Sequence, residues 1–143
     1  MKTDGVISLI SRIRERANEL IADELEQRGV TGIVSSHGNI LVQLYRHGPL
    51  PMNRLASLIG RKKNTLTVLV GKLKTAGYVE ISKSPADSRV TLVKLTEKGK
   101  AFRQQFEDIS RVLLERTWGD MPLPEREALV GRLEKLEKNL GGR

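Results

Sequence analysis

The chain has 143 residues and no cysteine, with 25 Lys and Arg residues against 17 Asp and Glu residues, and a formal net charge of +8. This length suits one compact domain, and the lack of cysteine excludes disulfides, thiolate metal sites and cysteine-based redox sensing. Since no apolar run is long enough to span a membrane and the first residues lack a secretory signal, we expect a cytoplasmic protein with no membrane partner.

The first third of the chain has helical periodicity. Apolar residues recur at helical spacing from Val6 to Leu25 and predict a long amphipathic helix that ends near Gly29. The pair Ser35-Ser36 can cap a second helix. This helix should end at Gly48-Pro49, because proline disfavours helical geometry in the residue before it.

The middle of the chain predicts two short helices and a β-hairpin. Pro51 suits the first turn of a third helix, and after Gly60 a fourth helix runs from Lys62 to Ala76 with its apolar residues on one face. From Tyr78 onward the residues become strand-like. Two such runs, joined by the loop Ser84-Pro85-Ala86-Asp87-Ser88, predict a hairpin.

The last third of the chain predicts two long helices. Thr96-Glu97-Lys98-Gly99 is typical of a helix start, and Pro122 and Pro124 mark a turn before the last helix. That helix has leucines at the spacing of a helix seam, Leu129, Leu133, Leu136 and Leu140. Long amphipathic helices with little else to cover them need one another and a second subunit, so we expect a homodimer.

A helix pair followed directly by a hairpin is typical of a winged helix-turn-helix. We therefore predict a mainly α (α+β) fold with long N- and C-terminal dimerisation helices. Residues 1–143 are expected to form a single domain. Within it, residues 36–96 form a winged helix-turn-helix DNA-binding lobe, and residues 1–30 and 97–143 form a helical dimerisation lobe.

The positive charge is confined to the middle of the chain. Residues 36–95 carry ten Lys and Arg residues but only two Asp and Glu residues, whereas residues 1–35 have a net charge of −1 and residues 96–143 a net charge of +1. Such an imbalance suits a polyanion-binding module, because each neutralised phosphate releases condensed counterions. Charge alone leaves a solvated basic face without a partner as the alternative.

Four runs of residues resemble the multiple-antibiotic-resistance regulator (MarR) family. They are Leu55-Ala56-Ser57-Leu58-Ile59-Gly60, then Asn64-Thr65-Leu66-Thr67, then Leu73-Lys74-Thr75-Ala76-Gly77-Tyr78-Val79, and finally the wing Asp87-Ser88-Arg89 followed by Val93-Lys94-Leu95-Thr96-Glu97-Lys98-Gly99. The resemblance covers about residues 36–100 by motif. It implies a dimeric transcription regulator whose terminal helices form the dimer interface and whose activity a small molecule often controls.

The basic module offers specific candidates for DNA contact. Lys63, Asn64 and Thr67 are expected near base edges in the major groove. Arg89, oriented by Asp87, is expected at phosphate or in the minor groove, with an ordinary loop ion pair as the alternative. The complete set of predicted DNA-binding residues is Ser36, His37, Arg61, Lys62, Lys63, Asn64, Thr65, Thr67, Lys72, Lys83, Asp87 and Arg89.

Two pairs from this set, and one residue outside it, have particular grounds. Arg61 and Lys62 suit phosphate contacts. Ser36 and His37 can offer N–H and hydroxyl groups to a phosphate, with plain helix capping as the alternative. Val68 stands where the family often has Arg, and it can touch a thymine methyl group instead.

The predicted function is sequence-specific binding to an operator in double-stranded DNA, as a repressor that a small aromatic acid or phenolic effector releases. Tyr45 and Arg46 are the candidates for effector binding, with Tyr45 as core and Arg46 as a solvated or DNA-facing charge as the alternative. An alternative function is a winged-helix protein-interaction adaptor without sequence-specific DNA binding. His37 and His47 are too few for a metal site and no catalytic motif is present, so we expect no metal, no cofactor and no enzyme activity.

Overall fold

The computed structural model describes residues 2–141, which form helices and a small antiparallel sheet. The elements are α1 (Val6–Gln27), α2 (Gly38–His47), β1 (Leu50–Pro51), α3 (Met52–Ile59), α4 (Lys63–Thr75), β2 (Val79–Lys83), β3 (Thr91–Leu95), α5 (Glu97–Ala101), α6 (Arg103–Trp118) and α7 (Leu123–Gly141). A 3₁₀ turn, Ser35–His37, leads directly into α2. The predicted mainly α fold with a helix pair and a hairpin is confirmed.

The chain divides into two compact units, one up to Ser110 and one from Arg111 onward. The first contains the helix pair and the sheet, and the second contains α7. The division of the chain into a DNA-binding lobe at 36–96 and a dimerisation lobe stays a prediction.

The sheet has the strand order β1-β3-β2, and both pairings are antiparallel. Val93 of β3 lies between Leu50 of β1 and Ile81 of β2. The hairpin of β2 and β3 is as predicted, but β1 was not predicted. A two-residue strand that includes a proline has too little pattern to indicate a strand, and its partner lies about forty residues further along the chain.

The core of the first unit is aliphatic, as the low aromatic content indicates. Its innermost residues come from the short helices and the sheet: Ile40, Leu41, Leu44, Leu55, Leu66, Val70, Leu73, Val79 and Val93. Two ring pairs border this core, Tyr78 with Phe102 and Tyr45 with Phe106, with ring centroids 5.5 Å and 5.3 Å apart. The short helices are therefore held by their buried faces and keep their other faces in solvent.

Two local predictions differ from the structure. No serine side chain caps the start of the 3₁₀ turn or α2; the Val34 N–H donates instead to Nδ1 of His37, at 3.1 Å. The single long helix predicted after Gly99 is divided into α5 and α6 at Phe102. The Phe102 ring is buried against Tyr78, which anchors the chain at this point.

Apolar side chains remain exposed on α1 and on α7. On α1 they are Val6, Ile7, Leu9 and Ile13, and on α7 they include Leu129, Val130, Leu133 and Leu140. None of the described residues of α7 is buried. Between residues 2 and 141, no helix combines the length and apolar character that crossing a membrane requires.

Candidate nucleic-acid interface

The helix pair α3–α4 turns at Gly60. Gly60 has φ +65° and ψ +34°, a left-handed conformation that side chains with a Cβ rarely adopt. The Arg61 N–H then donates to the Ala56 carbonyl at 3.1 Å, which closes the turn. Ala56 and Leu66 are buried on either side of it, so the small residue and the leucine hold the two helices together.

One face of α4 is buried and the opposite face is polar and exposed. Leu66, Val70 and Leu73 lie in the core. The predicted DNA-binding residues of this region are all exposed: Arg61, Lys62, Lys63, Asn64, Thr65, Thr67 and Lys72. The fold therefore presents them together on α4 and on the two residues that precede it.

Thr67 is oriented by its own helix. Its hydroxyl donates to the Lys63 carbonyl at 2.8 Å, so the hydroxyl hydrogen is not available as a donor to DNA. The oxygen keeps lone pairs and can still accept a hydrogen bond. In the major groove such an acceptor suits the amino group of adenine or cytosine.

The wing is the loop between β2 and β3, and it contains a two-point ion pair. Arg89 donates from Nε to one carboxylate oxygen of Asp87 and from a terminal nitrogen to the other, each at 3.1 Å, and its backbone N–H donates to the first oxygen at 3.0 Å. These bonds hold the pKa of the Asp87 carboxyl below its usual range and raise the pKa of Arg89. The Arg89 side chain is 89% exposed, so an oriented guanidinium projects from the wing. Lys83 is exposed at the end of β2.

The charge of this region is largely uncompensated. Both of its acidic residues are paired, Asp87 with Arg89 and Glu80 with Lys94. The other basic residues of 36–95 form no ion pair with a described residue: Arg46, Arg54, Arg61, Lys62, Lys63, Lys72, Lys74 and Lys83. Eight cations without counter-charges make this surface suitable for a polyanion.

The prediction that His37 contacts phosphate is wrong. Its imidazole is 1% exposed, and its backbone N–H donates to the Val34 carbonyl. Nδ1 is paired with the Val34 N–H, whereas Nε2 is buried without a hydrogen-bond partner among the described residues. Burial and the nearby Lys72 cation lower the pKa of His37, against a smaller opposing effect of the Leu69 backbone. Its neighbour Ser36 is exposed and stays a predicted contact.

Tyr45 and Arg46, the predicted effector residues, differ in environment. The Tyr45 hydroxyl donates to the Gly99 carbonyl at 2.8 Å, and burial raises its pKa to about 12. Arg46 is exposed. Neither lines the open cleft of about 480 Å³ that lies between α1 and residues 29–35. The cleft is bordered by apolar Ala22, Leu25, Val30 and Ile33, with Asn18 and Glu26 as polar groups.

Two residues after β3 have a role that the sequence did not indicate. Thr96 caps α5 as predicted, since its hydroxyl oxygen accepts from the Gly99 N–H, but the same hydroxyl also donates to the Gly77 carbonyl. Lys98 donates to the Ala76 carbonyl at 2.7 Å and lies 4.5 Å from the centre of the Tyr78 ring. Together they bind the end of α4 to the start of α5, at the end of β3 that lies away from the wing. The sequence indicates only the helix cap at Thr96, because a cap motif does not reveal that the same hydroxyl has a second hydrogen-bond partner far away along the chain.

Metal binding has no support in the described part of the chain. There, no three His, Asp or Glu side chains are grouped closely enough to hold an ion. The exposed polar groups of α4 and the wing include cations and hydrogen-bond donors, which are the groups that contact phosphates in protein–nucleic acid complexes.

Comparisons with known proteins agree with this geometry. The model of the MarR family matches residues 34–91. Two curated relatives from Pseudomonas putida are HTH-type transcriptional repressors. IacR is 28% identical over 71% of this chain and 60% of its own length. NicR is 30% identical over 67% of this chain and 61% of its own length. The chain thus spans about 60% of the length of these relatives, which are named as regulators rather than enzymes.

A solved structure matches over nearly the whole chain. It is a MarR transcriptional regulator from Methanosarcina mazei Go1, with a TM-score of 0.77 and 25% identity over 96% of each chain. The likeness therefore includes the terminal helices as well as the winged helix-turn-helix.

Proposed function

Because the chain belongs to the MarR family, we propose that it is a homodimeric, sequence-specific DNA-binding transcription regulator that represses its target genes. The observation that carries this proposal is the exposed basic surface of residues 36–95, where eight cations lack counter-charges while both acidic residues are paired. Six of the eight lie on α4, on the two residues before it or at the end of β2, next to the wing. A protein-interaction adaptor has no need of such a surface.

In this proposal α4 enters the major groove. Its buried face holds it to the core, and the exposed Asn64, Thr67 and Lys63 are available to base edges. Arg61 and Lys62 lie directly before α4 and suit contacts with phosphates. The Arg89 guanidinium, held by Asp87, suits a phosphate or a narrow minor groove beside the site.

A second subunit is part of the proposal. Exposed apolar residues at helical spacing on α1 and on α7 are removed from water only against another chain. A dimer reads two half-sites about one helical turn apart, which doubles the phosphate contacts and adds specificity. The assignment of residues 1–30 and 97–143 to the dimer interface rests on this reasoning.

The decisive test is duplex binding measured as a function of salt. Using the full chain and DNA selected from a random duplex pool, a dimer with 6–10 phosphate contacts should lose on the order of 10³–10⁵ in affinity between about 50 mM and 200 mM salt. Weak affinity that does not change with salt, for every duplex, would leave the adaptor as the better interpretation.

We also propose that a small aromatic acid or phenol reduces operator affinity. Such a ligand acts only through its different affinities for the DNA-binding and non-binding arrangements. Arg46 offers a charge for a carboxylate, whereas use of Tyr45 requires displacement of its bond to Gly99. Titration calorimetry with millimolar salicylate tests ligand binding, and DNA affinity measured with and without salicylate at constant ionic strength tests its effect. If no heat of binding is detected and DNA affinity does not change, this class of effector is excluded, whereas the proposal of DNA binding stands.

A further inference from the structure

Val68 is an exposed apolar side chain in the middle of the polar face of α4. It is 60% exposed, although the other large apolar residues of this helix are buried or half-buried. It lies two residues from both Leu66 and Val70, about 200° around the helix from each, and therefore on the side opposite the core. Exposed Asn64 and Lys72 lie one turn before and one turn after it.

Stability gives no reason for a valine at this position. A β-branched residue is a weaker helix former than alanine, and this one gains no burial in return. The space beside it is open, because Gly71, one turn further along, has no neighbouring atom within 4 Å of the place where a Cβ would lie. A partner molecule can therefore approach the isopropyl group closely.

The direction and rigidity of Val68 suit a contact in the DNA groove. Side chains on a helix tilt toward its N-terminus, so the isopropyl group leans toward Asn64 and the end of α4 that leads into the groove. Valine has one strongly preferred rotamer in a helix, and little side-chain entropy is lost when it makes a contact. It has no hydrogen-bonding group, so it cannot read the polar edge of a base.

The major groove offers one apolar group that such a side chain can recognise. Of the four bases only thymine carries a methyl group there, and the other base edges present hydrogen-bond donors and acceptors. Resting on the proposed function, we propose that Val68 is a specificity-determining residue that contacts the C5-methyl group of a thymine in each operator half-site. Neighbouring Asn64 then reads an adjacent base through its amide.

Replacement of thymine by deoxyuridine tests this contact. Uracil keeps the pairing and all hydrogen-bonding groups of thymine but lacks the methyl group. With a duplex selected by the full chain, each symmetry-related pair of thymines is replaced in turn, and affinity is measured at fixed salt. Replacement of one particular pair of thymines should weaken binding about fifteenfold. This is about fourfold for each half-site, the contribution of one buried methyl group.

The variant Val68→Ala should bind the thymine duplex with similarly reduced affinity and should no longer distinguish thymine from uracil at that position. Val34→Ala is the matched control, since Val34 is 53% exposed, lies outside α4, the wing and the proposed dimer segments, and its loss should leave the discrimination intact. If the wild type binds DNA with a steep salt dependence but tolerates every uracil, or if Val68→Ala still discriminates, the contact does not exist and the proposed function stands. If no duplex is bound at all, both fail.

Discussion

Replacement of His37 by alanine should destabilise the protein at neutral pH by about 2–4 kcal/mol. The imidazole is 1% exposed, and its removal leaves a cavity beside the core residues of α2 and α4, a change that costs about 2–5 kcal/mol for side chains of this size. The Val34 N–H also loses its acceptor. Against this, the buried Nε2, which has no partner among the described residues, is removed as well, so the net cost lies below the upper end.

The same residue gives the stability a defined pH dependence. Burial, helped by the Lys72 cation, lowers the pKa of His37 below the 6.5 of an exposed histidine. The unfolded chain therefore binds more protons than the folded chain below about pH 6.5, and the free energy of unfolding falls as the pH falls through this window. Between about pH 7.5 and pH 5.5 the loss from this one group has an upper limit of about 1.4 kcal/mol, reached if the folded imidazole stays neutral throughout.

Urea unfolding followed by circular dichroism at both pH values measures the two effects. The difference between wild type and His37→Ala isolates the contribution of this group, because other titrating residues are common to both. His47→Ala is the control at the exposed histidine and should leave the neutral-pH midpoint close to wild type. An unchanged midpoint in His37→Ala, or a pH dependence equal to that of wild type, would refute the buried neutral imidazole.

Three further predictions concern the wing, the core and the proposed dimer. Arg89→Ala should retain its helicity but reduce the slope of log affinity against log salt by about 0.9 for each phosphate that it no longer neutralises. Asp87→Ala should have a smaller effect, because it only frees the guanidinium. A slope equal to that of wild type in Arg89→Ala would contradict the wing's role in DNA binding. Gly99→Ala should lower the free energy of unfolding in urea by about 1–3 kcal/mol, because its Cβ would collide with a backbone carbonyl, whereas Gly71→Ala should not, because its Cβ has open space. Leu133→Asp should give monomeric or unfolded protein by sedimentation and lose DNA binding, since a carboxylate in an apolar interface costs several kcal/mol; a dimeric variant would place the interface elsewhere.

The elements of the proposed DNA-binding region could be predicted because their signals are local. Gly60 indicates the turn between two helices, and the loop with Pro85 and Asp87 indicates the hairpin. The burial of His37 could not be predicted, because nothing in its neighbourhood along the chain distinguishes an inward from an outward imidazole. The direction was decided by packing against α4, about thirty residues away.

The bonds made by Thr96 join the end of α4 to the start of α5, where β3 ends. Its hydroxyl accepts from the Gly99 N–H at the start of α5 and donates to the Gly77 carbonyl just after α4. Lys98 donates to the adjacent Ala76 carbonyl, where a cation also suits the negative end of the helix. The end of α4 is therefore held against the start of α5 and the end of β3, so α4 and the hairpin are fixed to one another at this end.

Thr96→Val tests this coupling with almost no change in side-chain shape. It leaves the Gly99 N–H and the Gly77 carbonyl unpaired in a half-buried position, which should cost about 1–3 kcal/mol in urea unfolding and weaken DNA binding under conditions where the variant is folded. Thr96→Ser keeps the hydroxyl and should restore both properties. DNA affinity equal to wild type in the folded valine variant would show that α4 and the β2–β3 hairpin keep their relative position without the Thr96 hydroxyl, through the strand pairing and Lys98 alone.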